Sequence, residues 1–399
     1  MTPRRRWLFV LACGAIMITL TMGLHQTFGL FLSPISESLG IGREMFAFAI
    51  AIQNLIWGAS SPFFGALADR YGARWIAAAG GVIYTAGLVL MGMASSGGEV
   101  MAGQFLIGLG MGGTGFSVVL GIVAKTVSPE KCALALGFVS AGGSSGQFAM
   151  VPIGQGLLAA FDWQIALFVL AAIAATMIGF AFGLSEKPDS DSKAMRQTIA
   201  EALREALAYR RFVLLTVGFF VCGFQVVFIA THLPAFYADN GVGGDVAAWA
   251  LSLVGLFNIV GSLGFGWAGG RWSKRNALVI LYSLRSLVIL VFMLLPVTPA
   301  SALIFGATIG CLWLATVPLI SGLIATFFGT RNPAMLYGIV FVSHQVGSFL
   351  GAWLGGYIYD RTGSYSLMWW LVVASGAVAA ILHIMIREAL ANRPAAVAA

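Results

Sequence analysis

A chain of 399 residues that is 59% hydrophobic and only 9% charged, with a mean hydropathy of +0.92, lies far from an ordinary soluble domain, where about 25% of residues are charged. Water cannot be its main solvent, so lipid must be. The formal charge of +7 then reports orientation in a bilayer, where basic residues collect on one side, and implies no nucleic-acid partner.

A helical crossing needs roughly 20 apolar residues. Twelve such stretches are read at about 7–33, 44–66, 75–95, 99–124, 132–158, 164–184, 211–237, 246–268, 277–297, 300–325, 334–358 and 365–387. Barrel strands would read as roughly 10-residue alternating segments, and these runs do not alternate. The expected fold class is therefore an all-α membrane protein with twelve transmembrane helices.

Arg4-Arg5-Arg6 before an apolar run imitates a signal peptide, but the run continues past Gly29 to Pro34, too long for a cleaved apolar region. A retained first helix is expected, with His25 and Gln26 in its far part. Asn54 falls at the middle of the second helix, and Gln147 and Asn258 at the middles of the fifth and eighth. An amide there is costly unless it is hydrogen-bonded, so each is either a solute contact or interhelical glue. Gln225 lies at the centre of the seventh helix, and His344 and Gln345 near the middle of the eleventh. A histidine with an ordinary pKa near 6.5 can carry a proton or simply tie two helices together. Arg285 lies about eight residues inside the ninth helix, roughly 12 Å deep at 1.5 Å per residue. It is read either as a structural or gating residue or as an anion-binding one.

No Asp or Glu lies deep in any predicted helix, so a carboxylate proton relay is missing and proton coupling would fall to a histidine or to the solute's own carboxyl. The glycines of 108–115 and 142–146 lack the lysine and preceding strand of a phosphate loop and read as close-packing helix faces. The four cysteines lack metal-ligand spacing, and no cofactor is expected. No nucleophile, base and metal fall at one membrane depth, so an enzyme is not expected.

Compared with itself at an offset of 201 residues, the chain repeats. Gly65-Ala-Leu-Ala-Asp69-Arg70-Tyr-Gly-Ala-Arg74 falls on Gly266-Trp-Ala-Gly-Gly270-Arg271-Trp-Ser-Lys274-Arg275, and Ala124, Gly137, Gly146 and Gly154 fall on Ala325, Gly338, Gly347 and Gly355. Two six-helix bundles, 1–184 and 211–399, joined by a polar cytoplasmic linker at 185–210, are expected. An internal repeat of this kind places a solute site near mid-membrane between the halves. Placing the N-terminus in the cytoplasm puts 19 of the 22 Lys and Arg on that side, leaving Arg43 and Arg361 outside and Arg285 in a helix. Both termini would then be cytoplasmic, in a cell inner membrane.

The Gly65–Arg74 loop between the second and third helices resembles the signature loop of the major facilitator superfamily, and with the repeat the likeness covers the whole chain. It implies a two-bundle transporter and a gate in which Asp69, with Arg70, Arg74 and the repeat-related Arg271, pairs across helices and is released as the bundles rock. Within the superfamily, Gly23-Leu-His-Gln-Thr-Phe-Gly-Leu-Phe31 and Gly338-Ile-Val-Phe-Val-Ser-His344-Gln345 resemble the branch of monocarboxylate and oxalate/formate carriers. The arginine that this branch uses in helix 8 to hold a carboxylate, with the acidic residue one turn before it, is replaced by Asn258 and Ser262. Antiporter marks in helices 4 and 5 are absent at Gln104 and degenerate at Met150-Val-Pro-Ile-Gly154.

The expected function is a secondary transporter, symporter or antiporter, of a small organic solute such as a monocarboxylate, moved with or without a proton by a monomer in the lipid bilayer. Candidate contacts are His25, Gln26, Asn54, Gln147, Gln225, Asn258, Arg285, His344 and Gln345. Efflux of a drug-like amphipathic compound is the alternative. A non-transporting membrane sensor or assembly factor is the alternative of another class.

Overall fold

The computed structural model describes residues 3–127, 129–184, 208–328 and 333–388. The described residues are helical and contain no strand. The chain runs through α1 (Pro3–Thr27), a 3-10 turn (Phe28–Phe31), α2 (Leu32–Leu39), α3 (Arg43–Tyr71), α4 (Ala73–Gly92), α5 (Gly97–Thr114), α6 (Phe116–Thr126), α7 (Pro129–Ala160) and α8 (Trp163–Ala181). It resumes with α9 (Arg210–Asp239), α10 (Gly244–Arg271), α11 (Lys274–Leu294), α12 (Pro299–Cys311), α13 (Thr316–Phe328), α14 (Pro333–Thr362) and α15 (Ser366–Ile384).

Nine spans among the described residues are long and apolar enough to cross a membrane. The long helices outside that set are α3, α7 and α14, which carry amides, hydroxyls and His344 in their middles. Together they are consistent with the twelve crossings read from the sequence. Local chemistry sets many of the ends. Ser96 accepts from the Glu99 amide while Glu99 reaches back to the Ser95 amide at 2.6 Å, and Thr298 and Ser301 form a reciprocal box ahead of α12 with Pro299 in its first turn. Gly72, at φ 94°, lets α3 turn sharply into α4.

The repeat is visible in the packing. α1 on α7, α3 on α5 and α4 on α8 recur as α9 on α14, α10 on α12 and α11 on α15. An added Cβ at Gly146 would run into the Thr19 carbonyl and lie 3.0 Å from the Gly23 amide. At Gly347, 201 residues on, it would meet the Phe220 carbonyl and lie 3.0 Å from the Phe224 amide, the repeat-related atoms. In lipid, such close backbone approach is what holds helices together.

Two predicted helices are broken. The stretch 99–124 divides at Gly115, whose backbone is extended, and 300–325 divides at Leu312–Ala315. The breaks are again about 201 residues apart. In the second, Pro318 lacks the N–H and crowds the carbonyl four residues back, at Leu314, which favours a break there although Pro62, Pro152 and Pro234 sit inside continuous helices. In the first, the run of glycines from Gly108 to Gly115 lowers the cost of leaving the helix.

The halves meet along two seams, α3 on α14 and α7 on α10, and where α9 meets the 3-10 turn and α2. The seams are closed from mid-helix to the end bearing Arg43. Toward the other end, neighbours come from each half alone: Gly65 faces Ser117, Gly266 faces Pro318 and Gly269 faces Leu319, while Phe63 and Leu67 on α3 and Leu263 and Trp267 on α10 are exposed. The space between the halves is thus shut at one end and parted at the other.

Candidate functional site

The closed end is held by charge. Arg43, the first residue of α3, donates from both terminal nitrogens to Asp239 at 2.7 Å and from one of them to the Tyr365 hydroxyl at 3.2 Å, and it lies 3.9 Å over the Tyr359 ring. Asp360 of α14 accepts from the backbone amides of Arg43 at 3.1 Å and Glu44 at 2.8 Å, so the start of α3 is capped by a carboxylate of the other half. Glu44 in turn takes Arg361 and the Trp353 indole, each at 3.1 Å. His232 joins from beneath: one ring nitrogen donates to the Ala352 carbonyl at 2.7 Å, and the other accepts from the Tyr365 hydroxyl at 3.2 Å. The sequence reading passed over His232, Asp239 and Tyr365 as members of this cluster. Its available signal was the charge at the helix ends, Arg43-Glu44, Asp239 and Asp360-Arg361.

At mid-depth, where the halves part, a chain of rings crosses the α3–α14 seam. His25 lies 5.8 Å from Trp57, Trp57 lies 5.3 Å from Phe341, and Phe341 stacks with His344 at 5.9 Å and 7°. Phe219 closes on His344 at 4.7 Å. His344 is 7% exposed. Its Nδ1 bonds the Gln345 carbonyl oxygen at 3.0 Å, an atom that can only accept, so Nδ1 carries the proton and Nε2 presents a lone pair without a hydrogen-bond partner. Gln345 donates across the seam to the Asn54 backbone carbonyl at 3.0 Å. The Asn54 side chain donates within α3 and leaves Oδ1 buried and unpartnered, as is Nδ1 of His25. Buried polar atoms are ordinarily paired; here the two histidines at the ends of the ring chain each keep one ring nitrogen without a partner. Gln26 lies half-buried in the last turn of α1 beside His25.

The second seam carries the other amides. Gln147 donates to the Leu251 carbonyl at 3.1 Å, and Asn258 donates to the Ser144 hydroxyl at 2.8 Å. By the repeat, Ser144 is the mate of Gln345 and Gly255 of Asn54, and Gly255 faces Ser144 as Asn54 meets Gln345.

Arg285 is placed differently from these. It is 1% exposed, and all five of its N–H bonds find acceptors in its own half. Nε donates to the Leu312 carbonyl at 3.1 Å, one terminal nitrogen to the Leu312 and Trp313 carbonyls, and the other to Gln225 at 3.2 Å and the Cys222 sulfur at 3.5 Å. Those carbonyls were freed by the break between α12 and α13, while Asn258 accepts from the freed Leu314 amide at 2.9 Å. Gln225 is likewise engaged, donating to the Val372 carbonyl at 2.9 Å. Cys222 lies beside Arg285 and within 3.4 Å of the Thr316 hydroxyl.

At the parted end, Arg70 lies over Tyr71 at 5.3 Å, Arg74 over Trp75 at 4.8 Å and Arg271 over Trp267 at 5.9 Å, each exposed. The Asp69 side chain lies outside the described residues. No group of three or more metal-ligating side chains occurs among the described residues.

A sequence model of the family described as Major Facilitator Superfamily matches residues 11–352. The mouse protein named monocarboxylate transporter 11 is 27% identical over 385 residues, covering 91% of this chain and 84% of that one. The oxalate:formate antiporter of Oxalobacter formigenes is 24% identical over 368 residues, covering 90% and 86%. The solved structure of the nucleoside transporter NupG superposes with a TM-score of 0.77 at 13% identity, covering 94% of this chain and 99% of that one. At that identity the likeness speaks for the fold alone.

Proposed function

The chain belongs to the major facilitator superfamily, and on that premise we propose that it carries a small organic carboxylate across the inner membrane by alternating access. It would do so as a monomer of two bundles, 1–184 and 211–399, joined by the linker 185–210. The observation that supports the reading is that the ring chain across the α3–α14 seam ends on two histidines with unpartnered ring nitrogens, His344 Nε2 and His25 Nδ1, while Asn54 Oδ1 on α3 is unpartnered as well. The names of the relatives supply the solute class. With Arg285 wholly engaged in its own half, the group that meets a carboxyl is His344. Its Nε2 lone pair accepts the acid proton, and the imidazolium then faces the carboxylate, so solute and proton travel together. Gln345 orients the ring, Asn54 contributes a second polar contact, and Gln26, Gln147 and Asn258 line the approach. Arg285 and Gln225 hold the break beside the site.

The excess of basic residues at the parted end makes that end cytoplasmic, so the described state opens inward. Asp69, Arg70, Arg74 and Arg271 form the gate on that side. The rings of Phe219, Trp57 and Phe341, with Tyr337 lying 6.4 Å from both Phe219 and Phe341, favour a second reading, efflux of an amphipathic ring compound. Counterflow of labelled lactate, formate and oxalate in proteoliposomes separates the two. Under the carboxylate reading, uptake rises as the outside solution is made more acidic, because the proton enters with the solute. His344→Gln flattens that profile and lowers uptake by tenfold or more. No exchange of any carboxylate, with a ring-bearing amine transported instead, would reverse the assignment.

A further inference from the structure

His232 stands apart from the site proposed above. It lies in α9 about two turns before Asp239 and is wholly buried. The ring is wedged in place. Gly355 of α14 packs on one edge, where an added Cβ would run into Cδ2 and Nε2, and the rings of Phe228 and Tyr365 lie 5.5 and 5.2 Å away.

Four groups form a directed line of hydrogen bonds that crosses between the halves. Arg43 of α3 donates to the Tyr365 oxygen at 3.2 Å, the Tyr365 hydroxyl donates to His232 Nδ1 at 3.2 Å, and His232 Nε2 donates to the Ala352 carbonyl at 2.7 Å. Every donor in this line has its acceptor only while Nδ1 keeps a lone pair. The closed end is thus built around a neutral ring.

A second proton would undo the line. With N–H on both nitrogens, the Tyr365 oxygen would face two cationic donors, Arg43 and the imidazolium, no more than two hydrogen-bond lengths apart. Its own proton would lose its acceptor, and buried charges are poorly screened. Among the described residues no carboxylate bonds the ring to offset this. Asp239 is held by both terminal nitrogens of Arg43, Asp360 accepts from the Arg43 and Glu44 amides, and Glu44 takes Arg361 and Trp353. From α14 the ring meets Ala352 and Gly355, with Tyr359 packed beyond it on Tyr365. Glu37 of α2 and Asp245 of α10 are exposed.

We propose that His232 is the proton-responsive element of the outer gate: neutral, it completes the line that fixes Arg43, and protonated, it releases Tyr365 and favours the state open at that end. This rests on the alternating-access reading above, but not on the solute that reading assigns. His344 accounts for the proton that travels with the solute, and His232 for one that sets when the gate opens.

The test is the spin-label distance between the starts of α3 and α10, measured on the solute-free full chain in liposomes as pH falls from about 7.5 to about 5, across the imidazole range. In wild type the distance should lengthen, with the open-to-closed ratio rising about tenfold. His232→Gln keeps one donor and one acceptor but takes no second proton, so it should hold the short distance throughout. Tyr365→Phe removes the shared oxygen and should lose most of the pH response whatever its starting distance, which gives the reading should the glutamine variant not fold. His344→Gln should keep the response, so a wrong carboxylate assignment would leave this result standing. A response that survives His232→Gln would assign the titration to Asp239, Asp360 or Glu44 and overturn the proposal. A response lost in His344→Gln, or a wild-type distance unchanged with pH, would overturn it too.

Discussion

Arg285 shows how one buried charge can be read two ways until its partners are known. From position alone it is an intramembrane cation and a natural anion ligand. In place, it is the substitute partner for carbonyls that the break ahead of Pro318 set free. Removing it would leave the Leu312 and Trp313 carbonyls buried without donors, at about 1–3 kcal/mol each. Arg285→Gln should therefore lower the melting midpoint of the purified protein by several degrees, with Arg285→Lys intermediate because an ammonium keeps the charge but cannot span both carbonyls as a fork. If it held solute directly, the same change would instead weaken carboxylate binding at unchanged stability. His344 gives the opposite case, because its free ring nitrogen has no structural duty that glutamine would fail to meet.

At the scale of the helix, stability rests on backbone approach through glycine. In lipid, apolar side chains gain little by meeting each other rather than acyl chains, so packing contact decides. Gly146 and Gly347 stand where a Cβ would collide with a neighbouring carbonyl, while a Cβ at Gly137 or Gly338 would meet open space. Gly146→Ala and Gly347→Ala should each cost about 1–3 kcal/mol through overpacking. Gly137→Ala should stay within about 0.5 kcal/mol. Thermal melting of the three variants measures this, and equal effects at all three would show that the spacing of α1 on α7 is not set by the glycine.

For the molecule as a whole, the question is what holds one end shut. The charged cluster of Arg43, Asp239, Glu44, Asp360 and Arg361 spans the two halves, and its central pair is largely shielded, with side-chain exposures of 14% for Arg43 and 28% for Asp239. Charge-assisted bonds of this kind are stronger than neutral ones. Losing about 1.4 kcal/mol on the closed side alone shifts the balance between the two states tenfold. Arg43→Ala should therefore move the protein toward the state open at that end, read as a lengthening of the spin-label distance between the starts of α3 and α10. Unchanged distances with normal transport would remove the cluster from the gate.

The sequence by itself determined that this is an all-helical, multi-pass membrane protein of the superfamily, because hydropathy, the offset of 201 residues and the Gly65–Arg74 loop are all linear properties of the chain. It also named the polar side chains in the middles of the helices, since an amide or imidazole stands out against an apolar run. Which partners each of them meets was decided only in three dimensions. Gln345 and Asn54 are separated by 291 residues and meet across a seam, and Trp57 and Phe341 look like any lipid-facing aromatic until the bundle turns them toward each other. The helix breaks were half legible: Pro318 and the glycine run could have been read as interruptions, but not the identity of the partners that satisfy them. A pattern along the chain reports which solvent a segment prefers, whereas a binding site depends on which polar atoms the fold leaves without a partner.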